Sequence, residues 1–307
     1  MKDRTIFNNT NYMKSKCKRL IVNADGFGFG DGATQAIIDA ISINSFIKSI
    51  SINVNFPAAE RAKEFRRCHS DISMGIHLNP LVGSPVLPAD KVPTLIDSNG
   101  EFHKNSFFAK MIKHQINKTE LEKELNAQIE YGKELAGPNL THIDSQGNSN
   151  LFYFSLFIKL AKSHNIPCIR NNYPLICLET EKPSISRSKA YMNKPHVFLM
   201  HKLRKWQMNY AQRIGFKMAD RLITVGYSSL RKTEIQTWCN IFSNLPEGTF
   251  EIYCHPGYPD DTLRRYSYYV EERKKEYEIV SIPQIVHLAQ KANIELVSFF
   301  SILDDYE

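Results

Sequence analysis

The segment RLIVNADGFGFGDGATQAII, residues 19–38, contains the pattern from which the fold can be predicted. Its apolar start at residues 19–24 is typical of a buried strand. The alanines and isoleucines that follow at helical spacing predict a helix over residues 33–43. The glycines between them fit neither a dinucleotide-binding loop nor a Lys-containing phosphate loop, so they indicate a turn. The segment therefore predicts one strand–turn–helix unit.

The same alternation of apolar runs and helical periodicity continues along the chain. Further strands are predicted at residues 49–55, 72–78, 140–144, 167–169, 249–254 and 294–299. Helices are predicted at residues 57–65, 119–135 and 151–163. The second of these helices opens with a capping box formed by Thr119 and Glu122. Strands separated by helices without a clear linker predict an α/β fold, built as a single parallel β/α barrel.

The chain divides into a barrel and two short ends. Residues 1–18 are polar and are expected to form a flexible N-terminal leader, residues 19–300 the barrel, and residues 301–307 a C-terminal tail. The stretch 183–226 interrupts the alternation and is predicted to be an insertion. It carries a basic amphipathic helix at about residues 196–218.

The composition is that of a globular protein. Hydrophobic residues make up 42% of the chain and charged residues 23%. The apolar runs are too short for a membrane span or a signal peptide. The six cysteines form no Cys-x-x-Cys pair, which favours free thiols in a reducing compartment over a zinc ribbon or a disulfide scaffold. We therefore expect a cytoplasmic protein.

Positive charge is concentrated in one block of the sequence. The net charge is +7, and residues 182–232 contain twelve Lys or Arg residues and one acidic residue, Asp220. The block is either a solvated face, a site for an acidic or phosphate-linked sugar or an anionic membrane surface, or a contact in a homodimer; these alternatives stay open. No nucleic-acid-binding motif accompanies it, so nucleic acid is not an expected partner.

Polar residues interrupt the ends of four predicted strands. The four stretches are NADGFG at residues 23–28, GIHLN at 75–79, THIDSQ at 141–146 and YCHPG at 253–257. A single polar residue near a strand end is usually structural. Four such ends in one parallel sheet favour a functional site, because chemistry collects at the carboxyl ends of parallel strands.

These motifs resemble the YdjC/ChbG family of carbohydrate deacetylases, which remove an acetyl group from N-acetylated sugars. The family pattern Asn-Ala-Asp-Asp-Phe-Gly is matched by residues 23–28 at all but one position, and Gly-x-His-Leu by residues 75–78. The patterns Thr-His-x-Asp-Ser, Cys-His-Pro-Gly and Pro-x-x-Arg are matched at residues 141–145, 254–257 and 167–170. The resemblance covers about residues 19–300 and implies a distorted TIM-like barrel.

The resemblance also implies a divalent metal held by one Asp and two His, and here the chain departs from the family pattern. The Asp position is Gly26 and one His position is Gln146, so only His77 remains. Glycine has no ligand atom, and the glutamine amide is a weaker donor than imidazole. We therefore predict no bound metal and no other cofactor.

The groups around the lost metal positions define the predicted site. The predicted catalytic residues are Asp25, at the family's general-base position, Asp144 and His255. The predicted substrate-binding residues are Asn55, His77, His142, Gln146 and Arg170.

Three functions remain open for a protein with these residues. The favoured one is metal-independent glycosyl hydrolysis or transfer on an amino sugar or cell-surface glycan, with Asp25, Asp144 and His255 as the reacting groups. It is favoured because the proton-transfer groups are retained while the ligands are lost. The alternatives are a metal-dependent deacetylase with altered ligands and a non-catalytic protein that binds a sugar or a partner.

Overall fold

The structure is a computed structural model that describes residues 17–177, 195–225 and 233–305. Its centre is strand β1, Lys18–Phe27, whose last eight residues are all buried. This strand pairs in parallel with β2 (Ser49–Ile52), β8 (Gly248–Cys254) and β9 (Ile294–Val297). A near-continuous apolar run is what a parallel strand buried on both faces requires.

The other strands extend the sheet on both sides of β1. They are β3 (Ser73–Leu78), β4 (His142–Ser145), β5 (Cys168–Ile169), β6 (Pro174–Cys177) and β7 (Arg221–Val225). Their order is β5-β4-β3-β2-β1-β8-β7-β6, with β9 also paired to β1. Within the described ranges no ladder joins β5 to β6: β5 has only two residues, pairs with β4 along one edge and forms a bridge with Lys217 along the other. The predicted parallel α/β fold is confirmed, but the sheet is an open, curled half-barrel.

Helices follow most of the strands and pack on the sheet. They are α1 (Asp31–Ile43), α2 (Ala62–Cys68), α3 (Phe107–Ile112), α4 (Lys118–Ala136), α5 (Phe154–Ser163), α6 (Pro195–Arg213), α7 (Ile235–Asn244), α8 (Asp261–Tyr266), α9 (Glu271–Val280), α10 (Gln284–Lys291) and α11 (Phe299–Asp304). Short 3-10 turns occupy Pro57–Arg61, Ala89–Lys91, Lys104–Ser106 and Gln146–Leu151. Ile37 of α1, Ile129 of α4 and Phe157 of α5 are buried in one core with the strand residues Ile50 and Ile76.

Helix α4 starts differently from the prediction. Its N-cap is Asn117, whose side chain accepts hydrogen bonds from the backbone N–H groups of Thr119 and Glu120. The predicted capping box of Thr119 and Glu122 is therefore wrong, and Glu122 forms an ion pair with Lys159 of α5 instead. Asparagine caps a helix at least as well as threonine does, so the cap lies two residues earlier in the chain.

The predicted ends and insertion differ in extent from the structure. Residues 1–16 of the predicted leader and residues 183–194 and 226 of the predicted insertion lie outside the described residues. The described part of the insertion contains α6 and also β7, which pairs with β6 and β8 and so belongs to the sheet. At the C-terminal end, residues 301–304 lie in α11 rather than in a tail: Ile302 is buried, and Asp305 forms an ion pair with Arg19. None of the helices in the described ranges is long and apolar enough to cross a bilayer.

Candidate active site

Five side chains from neighbouring strands meet at the carboxyl edge of the sheet. They are Asp25 of β1, Ser51 of β2, His77 of β3, Asp144 of β4 and Arg170, which directly follows β5. The parallel register places Asp25 opposite Ser51 and His77 opposite Asp144. One ligand atom from each of Asp25, His77 and Asp144 lies within 4.8 Å of the other two. The five polar side chains therefore form one cluster at the carboxyl edge of the sheet.

Arg170 is the centre of this cluster and is only 4% exposed. Its Nη1 donates to Oδ2 of Asp25 and its Nη2 to Oδ1 of Asp25, both at 2.7 Å. Nη2 also lies 2.8 Å from Oδ2 of Asp144, and Nε donates to Oε1 of Glu251 at 2.6 Å. One guanidinium therefore holds three buried carboxyl groups, with the bidentate geometry that gives arginine its preference for carboxylates.

His77 and Asp144 form a hydrogen-bonded dyad within the cluster. Nδ1 of His77 donates to Oδ1 of Asp144 at 2.7 Å. Burial opposes a charged imidazole, but the charge and hydrogen bond of Asp144 outweigh it and raise the pKa of His77 above its ordinary value of 6.5. Because Nδ1 is engaged, the ring exchanges protons at Nε2. A histidine oriented by a carboxylate in this way is suited to act as a general base.

Arg170 keeps both aspartates of the cluster ionised. Burial opposes their ionisation, but the guanidinium holds the pKa of Asp25 and of Asp144 below the usual range, with a further contribution from His77. Asn23 adds a hydrogen bond of 2.7 Å from its Nδ2 to Oδ1 of Asp25. Neither aspartate is consequently available as a proton donor at neutral pH.

The backbone turns sharply directly after Asp25. Residue 26 is a glycine with φ of +107°, and the pairing of β1 with β2 shifts register between Asp25 and Phe27. A side chain at this φ would be strained, which glycine avoids. The turn lies at the end of β1, directly after Asp25. Gly26 therefore places no side chain next to the Asp25 carboxylate.

The predicted site residue His142 lies inside the barrel beneath the cluster and is fully buried. Its Nε2 is 3.1 Å from Oγ of Ser51, and its ring stacks on Phe299 with centroids 3.9 Å apart. Burial lowers the pKa of His142 to about 3, so the ring is neutral at physiological pH. Gly75 makes room for it, since a Cβ there would lie 2.5 Å from the imidazole. His142 supports the cluster from below.

The structure places the other three predicted site residues at the rim. Asn55 donates from Nδ2 to the backbone oxygens of Val82 and Ser84, which ties down the loop after β3. Gln146 is half-buried at the start of the 3-10 turn after β4. His255 is half-buried, with its ring 5.3 Å from that of Tyr253, and its charge contributes to the lowered pKa of Asp25. Their assignment to substrate binding or catalysis stays a prediction.

Glu251 is a member of the cluster that the sequence interpretation missed. It lies on β8 behind Arg170 and is fully buried. Burial raises the pKa of Glu251 to about 7; Arg170 opposes the shift and the charge of Asp144 adds to it. The available signal was a carboxylate in the middle of the apolar strand GTFEIYC, because a buried acid needs a partner. Ser51, which donates from Oγ to Oδ2 of Asp144 at 2.9 Å, was also missed and carries no such signal.

A metal site of the implied Asp-His-His type does not fit the donors present. Gly26 supplies no ligand atom, and the Gln146 side chain makes no hydrogen bond within the described residues. The cluster does bring three ligand atoms within 4.8 Å, but Arg170 already binds the carboxylates of Asp25 and Asp144. A cation bound there would be held against the charge of the guanidinium. The predicted absence of a metal rests on this donor chemistry and stays a prediction.

A cavity of about 460 Å³ lies beside the segment that follows β4. Phe152 and Trp206 line it and are 40% and 57% exposed, respectively. Gln207, also in its wall, is buried and donates from Nε2 to the backbone oxygen of Leu151. The volume is in the range of small-molecule sites, and exposed aromatic rings beside an amide are suited to the apolar face and hydroxyl groups of a sugar.

Comparison with known proteins gives consistent relatives. A family model described as "YdjC-like protein" matches residues 19–291. A carbohydrate deacetylase of Thermoanaerobacter pseudethanolicus is 28% identical over 93% of this chain and 99% of its own length. One from Halalkalibacterium halodurans is 27% identical over 86% and 95%. A solved Enterococcus faecalis structure, named for cellobiose-phosphate cleavage, is 26% identical with a TM-score of 0.72, covering 93% of this chain and 98% of its own.

Proposed function

The chain belongs to the family of YdjC-like proteins, and we propose that it is a carbohydrate-acting hydrolase that cleaves the acyl–nitrogen bond of an N-acylated amino sugar. The family resemblance predicted from the sequence motifs is confirmed by this membership. The observation that carries the proposal is the hydrogen bond of 2.7 Å between His77 and Asp144 at the carboxyl edge of the sheet. The deacetylase names of the relatives support the reaction class.

The dyad supplies the proton transfers of an amide hydrolysis. His77 takes a proton from water through Nε2 while Asp144 holds its Nδ1 and stabilises the imidazolium. The hydroxide oxygen adds to the acyl carbon, and the carbon–nitrogen bond then breaks. His77 returns the proton to the departing sugar amine, and the acyl group leaves as a carboxylic acid. Water and amide are thereby converted to acid and amine with no other reactant.

The Asp25–Arg170 pair fixes the electrostatics around the dyad. Arg170 brings a permanent positive charge to a buried site in which two aspartates would otherwise repel each other. The same positive charge stabilises the negative charge that develops on the acyl oxygen when hydroxide adds to the acyl carbon. Such fixed charge is effective because the charged side chains of the cluster are buried.

The proposed substrate is an amino sugar within a larger or charged saccharide. The cavity with Phe152 and Trp206 would accept a neighbouring sugar ring. The name of the Enterococcus faecalis relative supports a phosphate-bearing sugar, as does the basic block of the sequence. The block therefore serves substrate attraction in this proposal.

Glycosyl hydrolysis is the second candidate, and one observation favours it. The ligand atoms of Asp25 and Asp144 lie within 4.8 Å of each other, which is no farther apart than the separation of about 5 Å found in retaining glycosidases. A glycosidase also needs one protonated carboxyl as general acid. Arg170 lowers the pKa of both aspartates, which places this reaction behind amide hydrolysis.

The test is turnover of N-acetylated sugars by the purified full-length protein after dialysis against EDTA. The substrates are N-acetylglucosamine, its 6-phosphate and diacetylchitobiose, with chromogenic glycosides beside them. We expect release of acetate and free amine, with kcat/KM rising as pH increases through the raised pKa of His77. His77→Asn and Asp144→Asn should each lower kcat by about 100-fold or more.

The matched control is His287→Asn, which changes an exposed histidine on α10 and should leave kcat unchanged. Cleavage of the glycosides without acetate release would select glycosyl hydrolysis. Acetate release only after Zn²⁺ or Mn²⁺ is added back would select a metal-dependent deacetylase. Sugar binding with no turnover of any substrate would select a non-catalytic protein, and each of these three outcomes overturns the proposal.

A further inference from the structure

Helix α9 brings a second arginine, Arg273, to the carboxyl edge of the sheet. The residue is 6% exposed. Its Nη1 lies 3.1 Å from the position that a Cβ at Gly26 would occupy. The Cβ and Cδ atoms of Arg273 lie 3.2 Å from the corresponding position at Gly257, so the stem of the side chain is closely packed. The guanidinium is thus directed at the bare backbone face beside Asp25.

The Nη1 group of Arg273 has no hydrogen-bond partner in the described part of the chain. Its Nε donates to the backbone oxygen of Tyr269, and its guanidinium carbon lies 5.5 Å from the ring centroid of Phe29. The carboxylate on the same helix, Glu276, accepts instead from the hydroxyl of Tyr269 and the backbone N–H of His255. No carboxylate of the described residues forms an ion pair with Arg273.

A buried guanidinium nitrogen without a hydrogen-bond partner is an unusual arrangement, and the charges of Glu276, Asp25 and Asp260 act on Arg273 only at longer range. An ion away from water loses its hydration, and charges beyond contact distance compensate for only part of that loss. Asp25 is the acid adjacent to Gly26, but both of its oxygens are bound by Arg170. An anionic group from outside the chain would supply the direct contact that Nη1 lacks.

We infer that Arg273 and the side-chain-free face of Gly26 form a subsite for an anionic oxygen of the ligand, either a carboxylate of a sugar acid or a phosphate of a sugar phosphate. The guanidinium presents the donors, and no side chain at Gly26 competes for Nη1. This inference rests on the proposed function only in taking the ligand to be a saccharide.

Binding is tested by calorimetry and thermal shift, without turnover, on the full-length protein. The phosphate arm compares glucose 6-phosphate with glucose, and the carboxylate arm compares glucuronate with glucose. Inorganic phosphate is the third probe. In the arm that matches the natural ligand, we expect the charged sugar to bind about tenfold or more tightly than glucose. This is the difference that one charge-assisted contact makes. Equal binding of the charged and neutral sugars overturns the inference.

Three variants locate the binding. Gly26→Asp places a carboxylate next to Arg273 and should remove the preference for the charged probe, whereas Gly26→Ala, with the same backbone strain and no charge, should keep it. Arg273→Met should also remove the preference, and this variant answers the question if Gly26→Asp does not fold. Retention of the full preference in Gly26→Asp or Arg273→Met overturns the subsite. The failure of acyl hydrolysis would leave all of these binding results unaffected.

Discussion

The two sides of Asp25 differ in how their positive charge is balanced. On the β4–β5 side, Arg170 contacts the carboxyl groups of Asp25, Asp144 and Glu251. On the α9 side, Arg273 contacts no carboxylate of the described residues. Both guanidiniums are at least nine-tenths buried. The same side-chain type therefore has direct carboxylate contacts on one side of Asp25 and only longer-range ones on the other.

The contacts of Arg170 are satisfied within the protein, whereas Nη1 of Arg273 lacks a hydrogen-bond partner among the described residues. Arg170 has a structural role, because its three carboxyl partners are all on strands of the sheet. Arg273 has the burial of a structural arginine and lacks the partner that burial normally requires. Substitution of Arg170 should therefore change the stability of the protein, and substitution of Arg273 should change ligand binding.

The largest effect should come from Arg170→Gln. The substitution leaves three buried carboxyl groups without their shared cation, so we expect the free energy of unfolding to fall by about 3–5 kcal/mol. Urea denaturation followed by circular dichroism measures the change as a lower midpoint.

The control for this variant is Arg264→Gln, which removes an exposed ion pair with Glu271. Surface pairs of this kind contribute about 0–1 kcal/mol, so its midpoint should stay close to that of the wild type. Equal midpoints for Arg170→Gln and Arg264→Gln would show that the Arg170 side of the comparison is not structural.

The next effect is a pH dependence that Glu251 introduces. Its pKa is about 7 in the folded protein against an ordinary value of 4.5. The folded state therefore holds the proton more tightly, so this contribution to stability is complete below pH 4.5 and is lost as pH rises through 7. The shift corresponds to about 3 kcal/mol across that window.

Glu251→Gln should flatten this part of the stability profile relative to the wild type, measured by urea denaturation between pH 5 and 8. The raised pKa of His77 acts in the same direction and remains in both proteins, so the difference between the two profiles isolates Glu251. Glu295→Gln, which changes an exposed glutamate on β9, should keep the slope of the wild type. An unchanged slope in Glu251→Gln would mean that Arg170 keeps Glu251 ionised throughout.

The sequence was sufficient to predict which strand-end side chains meet in the cluster where this depends on strand register. Asp25, His77 and Asp144 stand at the ends of predicted strands, and parallel strands bring their carboxyl ends to one edge of the sheet. Arg170 was found through the motif it resembles. The open side of the barrel was not predicted, because the length of β5 depends on pairing and not on the apolar character of residues 167–169.

The missed features depend on contacts between distant segments. Arg273 lies in the strongly charged helix EERKKEYEIV, where nothing distinguishes the one buried arginine from exposed neighbours. Its Nη1 packs next to the turn at Gly26, nearly 250 residues earlier in the chain. The N-cap of α4 was misplaced for a local reason, since Asn117 and Thr119 are both good capping residues and only the chain path selects between them.

The smallest effect, and the one that separates the two arginines most directly, is that of Arg273→Met. Methionine keeps much of the stem that packs on Gly257 and removes the unpaired charge. We therefore expect the free energy of unfolding to stay within about 1 kcal/mol of the wild type or to increase, measured by the same urea titration. Arg273→Lys keeps a buried charge and should be less stable than Arg273→Met.

The direction of this last change decides what Arg273 is for. If it were a structural arginine with an interaction equivalent to that of Arg170, Arg273→Met would lose stability by the same several kcal/mol as Arg170→Gln. A neutral or stabilising result means that the folded protein gains nothing from the charge. A buried charge that costs stability and is nevertheless placed 3.1 Å from the side-chain position of Gly26, beside the dyad and Asp25, is then accounted for by a bound anion.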